Sequence, residues 1–589
     1  MNSQLQKYES WLYGLAFLIA LGLRLAQLGA LPLADSEAAS ALQALHLAQG
    51  LKPALGPQPA YILLTAPLFF VYGGGTNFLA RLVPALAGSF LVFVPLLFRG
   101  RFKSGAPVIF AFFLALDPAL VSLSRNATGT ILAVTFLLFA WGFWSDNKLT
   151  LAGSFVGLAL LSGPTIWMGL LGLAIAWALQ NFIEQKKQLA EELELASDTH
   201  ESRNPALSLV EGTNYVTSST PHVLRNTLFS AITTFILIGT LFFLAPNGLS
   251  AALASIPAYL RGWAQPSGIP IVRLLASLIV YEPLAVFLGL VCIIRAWWHG
   301  SRRAMRLSIW MLVALLLAIF YPAHQVTDLI WAITPLLALA SIELARHLVI
   351  FPEERVEVRG VVALTVFIFV FAWLDLASIS WTPVPSLQAN MRIYLFFGAL
   401  ILLFLSILLV AAGWSVRTAK LGGIWGLTIS LGVITLASTF GAAGLRGAYA
   451  PEFWPPETRP AQANLLLATV NDLSDWSAGE KTILPVIISG VQSPALEWLL
   501  REHQVTVVQS LDISTSSALV ITPSQNDLGL AASYRGQDFA WDQTVSWDAS
   551  LINDWVRWLT LRQMPATSDA IILWARADLF LDMAHPIAP

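Results

Sequence analysis

Apolar stretches long enough to cross a bilayer alternate with polar loops over the first 440 or so residues, and this alternation limits the chain to one class of fold. The stretches lie near 11–30, 78–98, 106–123, 127–144, 149–162, 164–181, 227–245, 271–294, 306–320, 328–345, 360–380, 392–412 and 421–440. A spanning helix needs about 20 mostly apolar residues. With 56 % apolar and only 12 % charged residues, the chain is far from the mix of a soluble globular domain. The expectation is a polytopic α-helical membrane protein of about 13 transmembrane helices. The stretch 149–162 is short for a span, so one hairpin there is open to another segmentation.

Positive charge tests the segmentation. Loops assigned inside hold eighteen basic residues: Lys7, Arg99, Arg101, Lys103, Lys148, Lys186, Lys187, Arg203, Arg225, Arg295, Arg302, Arg303, Arg306, Arg346, Arg355, Arg359, Arg417 and Lys420. Loops or span edges assigned outside hold six: Lys52, Arg81, Arg125, Arg261, Arg273 and Arg392. Lys and Arg concentrate in short cytoplasmic loops, so the bias places the N-terminus in the cytoplasm and a C-terminal domain outside. One span too many or too few would reverse the bias partway along, and no reversal occurs. The first stretch is longer than a signal-peptide core and a dozen more follow, so it is expected to be retained.

The net charge of −2 gives no reason to expect nucleic acid. The single cysteine, Cys292, sits in an apolar run without the partners a disulfide, metal or redox site needs, and is expected to pack.

The expected organisation is a transmembrane domain over 1–444 and an extracytoplasmic α/β domain over 445–589. Within the first, 31–77 is an outer loop with an amphipathic stretch, SEAASALQALHLAQG (36–50), expected to lie along the membrane surface. The YGGGT run (72–76) reads as a flexible turn. The insert 182–226 begins with mixed charge that can continue the sixth span as a solvated helix and ends in a polar, linker-like tail. In the last 145 residues, β-rich runs at 482–489, 505–510 and 518–524 alternate with a helical run at 494–503, and 570–580 looks like a final strand.

Unusual residues gather at the outer face. Asp35 and Glu37 follow the first span at the start of the amphipathic stretch. Two carboxylates there either favour the helix dipole or supply a base at the membrane boundary. Arg24 lies well inside the first span, where a charge costs about 2.5–3.5 kcal/mol, so it needs an acid or a polar cavity, with Glu282 an available partner. His324 and Asp328, at i and i+4, have the spacing to hold a divalent ion on one helical face. Two ligands do not make a metal site, so no cofactor is assigned and a divalent ion stays an alternative.

The run PAYILLTAPLFFVYGGGTNFLARLVPALAGSF (59–90), with Arg24 in the first span and the acidic pair after it, resembles the protein O-mannosyltransferase and aminoarabinose transferase superfamily. These are membrane glycosyltransferases of the C-type fold, including glycosyltransferase family 39. DPALVSLSRNA (117–127), VYEPLAVFLGLV (280–291) and HQVTDLIWAITPLLALAS (324–341) add weaker likeness. The resemblance implies a C-type fold and a transferase that takes a sugar from a polyprenyl-phosphate carrier at the outer face. It passes the sugar to a protein, lipid or cell-surface glycan, with a first-loop acid as base.

That base would be Asp35, or Glu37 if the register is displaced by one. The family's adjacent Asp-Glu is here Asp35-Ser36-Glu37-Ala38, and no acid follows Arg125. The outer guanidiniums of Arg81, Arg125, Arg261 and Arg273 suit a carrier phosphate or, alternatively, lipid headgroups. Glu282 and His324 are the further expected substrate contacts.

The departures at Asp35 and after Arg125 keep a second reading open, a non-catalytic relative that binds the lipid-linked carrier and assists its handling or flipping. A secondary transporter is disfavoured, because no paired repeats with broken helices stand at matching positions.

Overall fold

The computed structural model describes residues 2–102, 105–198, 220–382, 386–447, 451–454, 457–525, 527–547 and 551–584. Every apolar stretch read from the sequence is helical. Seven helices are long and apolar enough to cross a membrane unaided: Asn77–Leu97, Thr165–Lys186, Arg302–Phe320, Val326–Arg346, Pro352–Ile379, Leu387–Gly413 and Val416–Ala442. The chain is therefore a multi-pass membrane protein. Thr130–Ser145 and Leu149–Leu160 are shorter. At 1.5 Å per residue the second of these is only about 18 Å long, which fits the doubt over that hairpin. It packs face to face with the helix Thr220–Gly239. A Cβ on Gly153 would meet the Thr227 carbonyl at 2.2 Å, and one on Gly157 the Ala231 carbonyl at 2.6 Å. Small residues four apart thus let two backbones touch.

Two expected spans are broken. Ala106–Leu116 and Pro118–Ser124 meet at 55°, and Ile271–Tyr281 and Pro283–Trp298 at 93°. Both breaks fall at an acid followed by proline, Asp117-Pro118 and Glu282-Pro283. Proline cannot donate to the helical ladder and disfavours helical geometry in the residue before it. At the first break the Asp117 side chain caps the new helix, accepting from Leu120 N at 2.7 Å. The carbonyls of Leu114 and Ala115, freed there, are taken by Arg24 at 3.1 Å each. Arg24 thus sits fully buried on backbone carbonyls and Ser124 Oγ (3.1 Å) rather than on Glu282. Glu282 instead faces Asp117 and the Ala119 backbone at the first break.

Of the insert read at 182–226, the first part belongs to Thr165–Asp198, one helix that prolongs its span; the polar tail at 199–219 lies outside the described residues.

The loop 31–77 holds two helices, Asp35–Ala48 and Pro59–Tyr72. The first is not laid on the membrane surface. Ala38, Ala41, Ala44 and Leu45 are buried in a core that also contains Leu466, Leu496, Trp498 and Leu519 of the C-terminal region. That region covers the apolar face.

The C-terminal region is built on a five-stranded sheet: β1 (Val486–Ser489), β2 (Val505–Val508), β3 (Leu519–Pro523), β4 (Tyr534–Val545) and β5 (Ala566–Arg576), in the order β2-β1-β3-β5-β4. The first three pair in parallel, and β5 runs antiparallel to β3 and β4, with a register shift between Ala540 and Asp542. β4 and the helices Ala463–Ala478 and Ile552–Leu561 were not legible as elements in the sequence.

The short helix Pro494–Leu499 joins the two parts. Trp498 Nε1 donates to Asn77 Oδ1 at 2.8 Å, Arg501 Nε to the Gly75 carbonyl at 2.9 Å, and a Cβ on Gly75 would lie 2.6 Å from the Trp498 ring. The YGGGT run is a docking point held by tryptophan, and Gly75 is there because nothing larger fits.

Candidate functional site: an outer cavity

A cavity of about 720 Å³ opens where several loops between helices meet the connector to the sheet. Its walls come from the start of the helix Asp35–Ala48, the turn 126–130 after the first broken helix, the end of the helix Asn247–Arg261 and its following loop, the segment 321–328, and residues 457–459.

Glu37 anchors one wall and is 2 % exposed. Its Oε1 accepts from Arg81 Nε (2.9 Å) and Ala127 N (2.8 Å), and its Oε2 from Arg81 Nη2 (2.7 Å) and Ala34 N (3.0 Å). Burial alone would raise its pKa, but the Arg81 guanidinium, its hydrogen bonds and then Arg459 hold the carboxyl down at about 2. A carboxylate with so little affinity for a proton is an anchor and a poor base.

Arg81 is equally committed. Besides Glu37 it donates to the carbonyls of Leu28, Leu31 and Pro32, so the carrier-phosphate contact expected of it has no donor to make it. Arg125 turns inward as well. Its Nη1 donates to the carbonyls of Leu23, Arg24 and Ala26, where a cation complements the C-terminus of the first helix.

Asp35 does not line the cavity. Its Oδ1 accepts from Ser493 Oγ at 2.7 Å and Ala495 N at 2.9 Å, across the junction at the start of the helix Pro494–Leu499. The residue expected to be the base is a docking acid. Arg273 lies over the rings of Trp547 (5.3 Å) and Phe453 (5.6 Å) and is likewise absent from the cavity wall.

His324 is taken up by two carbonyls, Tyr321 O at 2.8 Å from Nδ1 and Ile269 O at 2.6 Å from Nε2. It clips the 266–270 loop to the 321–325 segment and has no nitrogen left for a metal. Asp328 Oδ2 accepts from Gln325 N within its own turn. No group of three or more candidate metal ligands occurs among the described residues. Glu282 sits at the second helix break, apart from the cavity lining.

Of the eight site residues expected from the sequence, Glu37 and Arg261 line the cavity. Arg261 is exposed, and among the described residues its one hydrogen bond is from Nε to the Pro257 carbonyl of its own helix, at 3.3 Å. Its two Nη groups are left for a ligand.

Sequence reasoning missed the connector residues Glu457 and Arg459. Arg459 Nη2 donates to Asn126 Oδ1 at 3.1 Å, and its Nε stands 3.9 Å from Glu37 Oε2. Burial first and the neighbouring Arg81 next lower its pKa to about 10, against the pull of Glu37 and Glu457. Asn126, which heads a glycosylation-type Asn-Ala-Thr triplet, is thus a buried part of the wall. The signal available was the segment PEFWPPETRP (451–460), in which two acids and an arginine stand among prolines at the boundary of the two regions. The cavity wall thus carries two guanidiniums, Arg261 and Arg459, and three carboxyls, Glu37, Asp328 and Glu457, while Arg81 and Arg125 stand behind it.

No family model and no curated protein sequence matches the chain. Among solved structures, it is similar to ArnT from Cupriavidus metallidurans bound to undecaprenyl phosphate: TM-score 0.52, 13 % identity, 97 % of this chain and 98 % of that one covered. The apo state of the same protein gives a TM-score of 0.52 at 14 % identity, over 98 % and 99 % of the two chains. The oligosaccharyltransferase AglB from Archaeoglobus fulgidus, in complex with an inhibitory peptide and a dolichol-phosphate, gives a TM-score of 0.43 at 13 % identity, over 88 % and 70 %. With the outer loop, the broken helices and the docked sheet region all in place, the chain has the C-type membrane glycosyltransferase fold.

Proposed function

We propose that the chain is a membrane glycosyltransferase that takes a sugar from a polyprenyl-phosphate donor held in the outer cavity and passes it to a protein, lipid or cell-surface glycan. The observation that carries this reading is the cavity itself. It is lined by two arginines that keep unused donors among the described residues, Arg261 with both Nη groups and Arg459 with Nε, in a fold whose solved example binds undecaprenyl phosphate. Arg261 is assigned to the carrier phosphate. Losing a charged hydrogen-bond partner costs about 1.5–3 kcal/mol. Binding of undecaprenyl phosphate to the purified protein should therefore weaken by about 10- to 100-fold in Arg261→Ala. A wild type that does not bind undecaprenyl phosphate would remove the proposal.

The charge asymmetry of the loops supports an orientation with the cavity and the sheet region on the extracytoplasmic side and the N-terminus in the cytoplasm. With Cys292 replaced, a cysteine at Ser516 should react with an impermeant reagent on intact cells and one at Ser197 should not. Labelling of both from one side would contradict this orientation.

The engagement of both first-loop acids, Asp35 in docking and Glu37 with Arg81, is what a non-catalytic carrier-binding relative would show. It leaves catalysis to depend on whether another carboxylate is free in the cavity.

A further inference from the structure

Three carboxyl side chains line the outer cavity among the described residues: Glu37, Asp328 and Glu457. Glu37 has four donors on its two oxygens, as described above. Asp328 is buried and closes its own turn through Gln325 N. Glu457 differs from both. It is exposed to the cavity, it stands on the connector and not on a membrane helix, and its hydrogen bond is from Ser36 Oγ to Oε2. The Ser36 backbone adds a second contact to the same carboxyl, which lines the space where a ligand would lie.

We propose that Glu457 is the general base of the transfer, a proposal that rests on the glycosyltransferase reading above. The acceptor hydroxyl oxygen forms a bond to the anomeric carbon of the donor sugar, and its proton passes to the Glu457 carboxylate. The bond between that carbon and the phosphate oxygen breaks, and its electron pair leaves on the carrier phosphate, whose charge Arg261 meets. Nothing in this step requires a further reactant.

The surroundings give Glu457 the affinity a base needs. Enclosure by the cavity walls raises its pKa above the usual carboxylate range, and the negative Glu37 and Asp35 raise it further, while the Ser36 hydrogen bonds lower it. Arg459 is the cation that faces it from the connector. A base works best with a pKa near the working pH. The placement also explains why the sheet region shares a core with the outer loop. The connector carries the catalytic carboxylate, and Asp35 together with Trp498 holds the region in place.

The test uses native membranes from cells expressing the full chain, which supply the acceptor. The added donors are undecaprenyl-phosphate-linked hexose, pentose and amino sugar, and the readout is release of undecaprenyl phosphate. Glu457→Gln keeps the shape and removes the base, so release should fall by about 100-fold or more with undecaprenyl phosphate binding unchanged. Ser36→Ala removes a donor that favours the carboxylate. The acid limb of the pH–rate profile should then move to higher pH, whatever the rate on the plateau above it. Glu457→Gln turning over like wild type, or an acid limb unmoved in Ser36→Ala, would overturn the assignment of Glu457 and leave the transferase reading standing. A wild type that binds the carrier but releases it from none of these donors would overturn both.

Discussion

Arg81→Ala is expected to destabilise the protein by about 3–5 kcal/mol, the cost of leaving a buried charge without its partner. Arg81 and Glu37 are both almost fully enclosed and 2.7 Å apart, and Arg81 also ties three carbonyls of the turn 28–32. One substitution therefore strips donors from four acceptors at once. Thermal unfolding of the detergent-solubilised protein should show the loss, and Arg81→Lys should recover little of it, because an ammonium cannot span the same fork. The pair also sets a pH dependence. The Glu37 pKa is depressed in the folded state to about 2, so its contribution is complete above the unfolded value near 4.5 and is lost as pH falls from there toward 2. At about 1.4 kcal/mol per unit, this amounts to roughly 3 kcal/mol. Unfolding that is insensitive to Arg81→Ala, or equal stability at pH 3 and pH 6, would contradict the anchoring role.

Asp35→Ala should loosen the sheet region from the membrane helices. Its carboxylate caps the helix Pro494–Leu499 from the opposite side of the junction, and charge-assisted hydrogen bonds contribute about 1.5–3 kcal/mol. Hydrogen exchange should rise in residues 493–501 and in the outer loop while the membrane helices keep their protection. Because Glu457 rides on the connector, sugar transfer should fall in parallel. Asp35→Asn still accepts these hydrogen bonds without the charge, so it should be milder than Asp35→Ala in both readouts. A base at Asp35 would give the opposite pattern: Asp35→Asn as inactive as Asp35→Ala, with hydrogen exchange unchanged in both.

The membrane architecture was legible because hydropathy and loop charge are one-dimensional signals. A segment that spans lipid must satisfy its backbone within itself, and every run from 11–30 to 421–440 is helical, two of them as broken pairs. The two breaks were legible in part. Asp-Pro and Glu-Pro mark them in the sequence, but whether proline kinks a span or splits it depends on who takes the freed carbonyls. Arg24 does so from ninety residues away in sequence.

The site was less legible for a related reason. The outer acids and arginines could be identified as unusual, but their partners are set by tertiary contacts. Asp35 and Glu37 are two residues apart at the start of a helix, and about 200° of rotation sends one to the sheet region and the other to Arg81. Glu457 and Arg459 gave only a weak signal, since a short Pro-rich segment at a domain boundary looks like a linker until its neighbours are known. The sheet followed the same pattern. The buried strands β1 and β3 were visible as apolar runs, whereas β4, half exposed and with a register shift near Trp541, carries no clean alternation.

The central claim is that the outer cavity holds the carrier phosphate, and the position of that phosphate is its most direct test. Cryo-electron microscopy of the full chain in nanodiscs containing undecaprenyl phosphate should show density for the phosphate in the cavity, within hydrogen-bond distance of Arg261, with the chain leaving toward lipid. Carrier density seated elsewhere, in the smaller pocket between Phe78 and Arg501 or along the lipid-facing helix Leu387–Gly413, with the outer cavity empty, would contradict it.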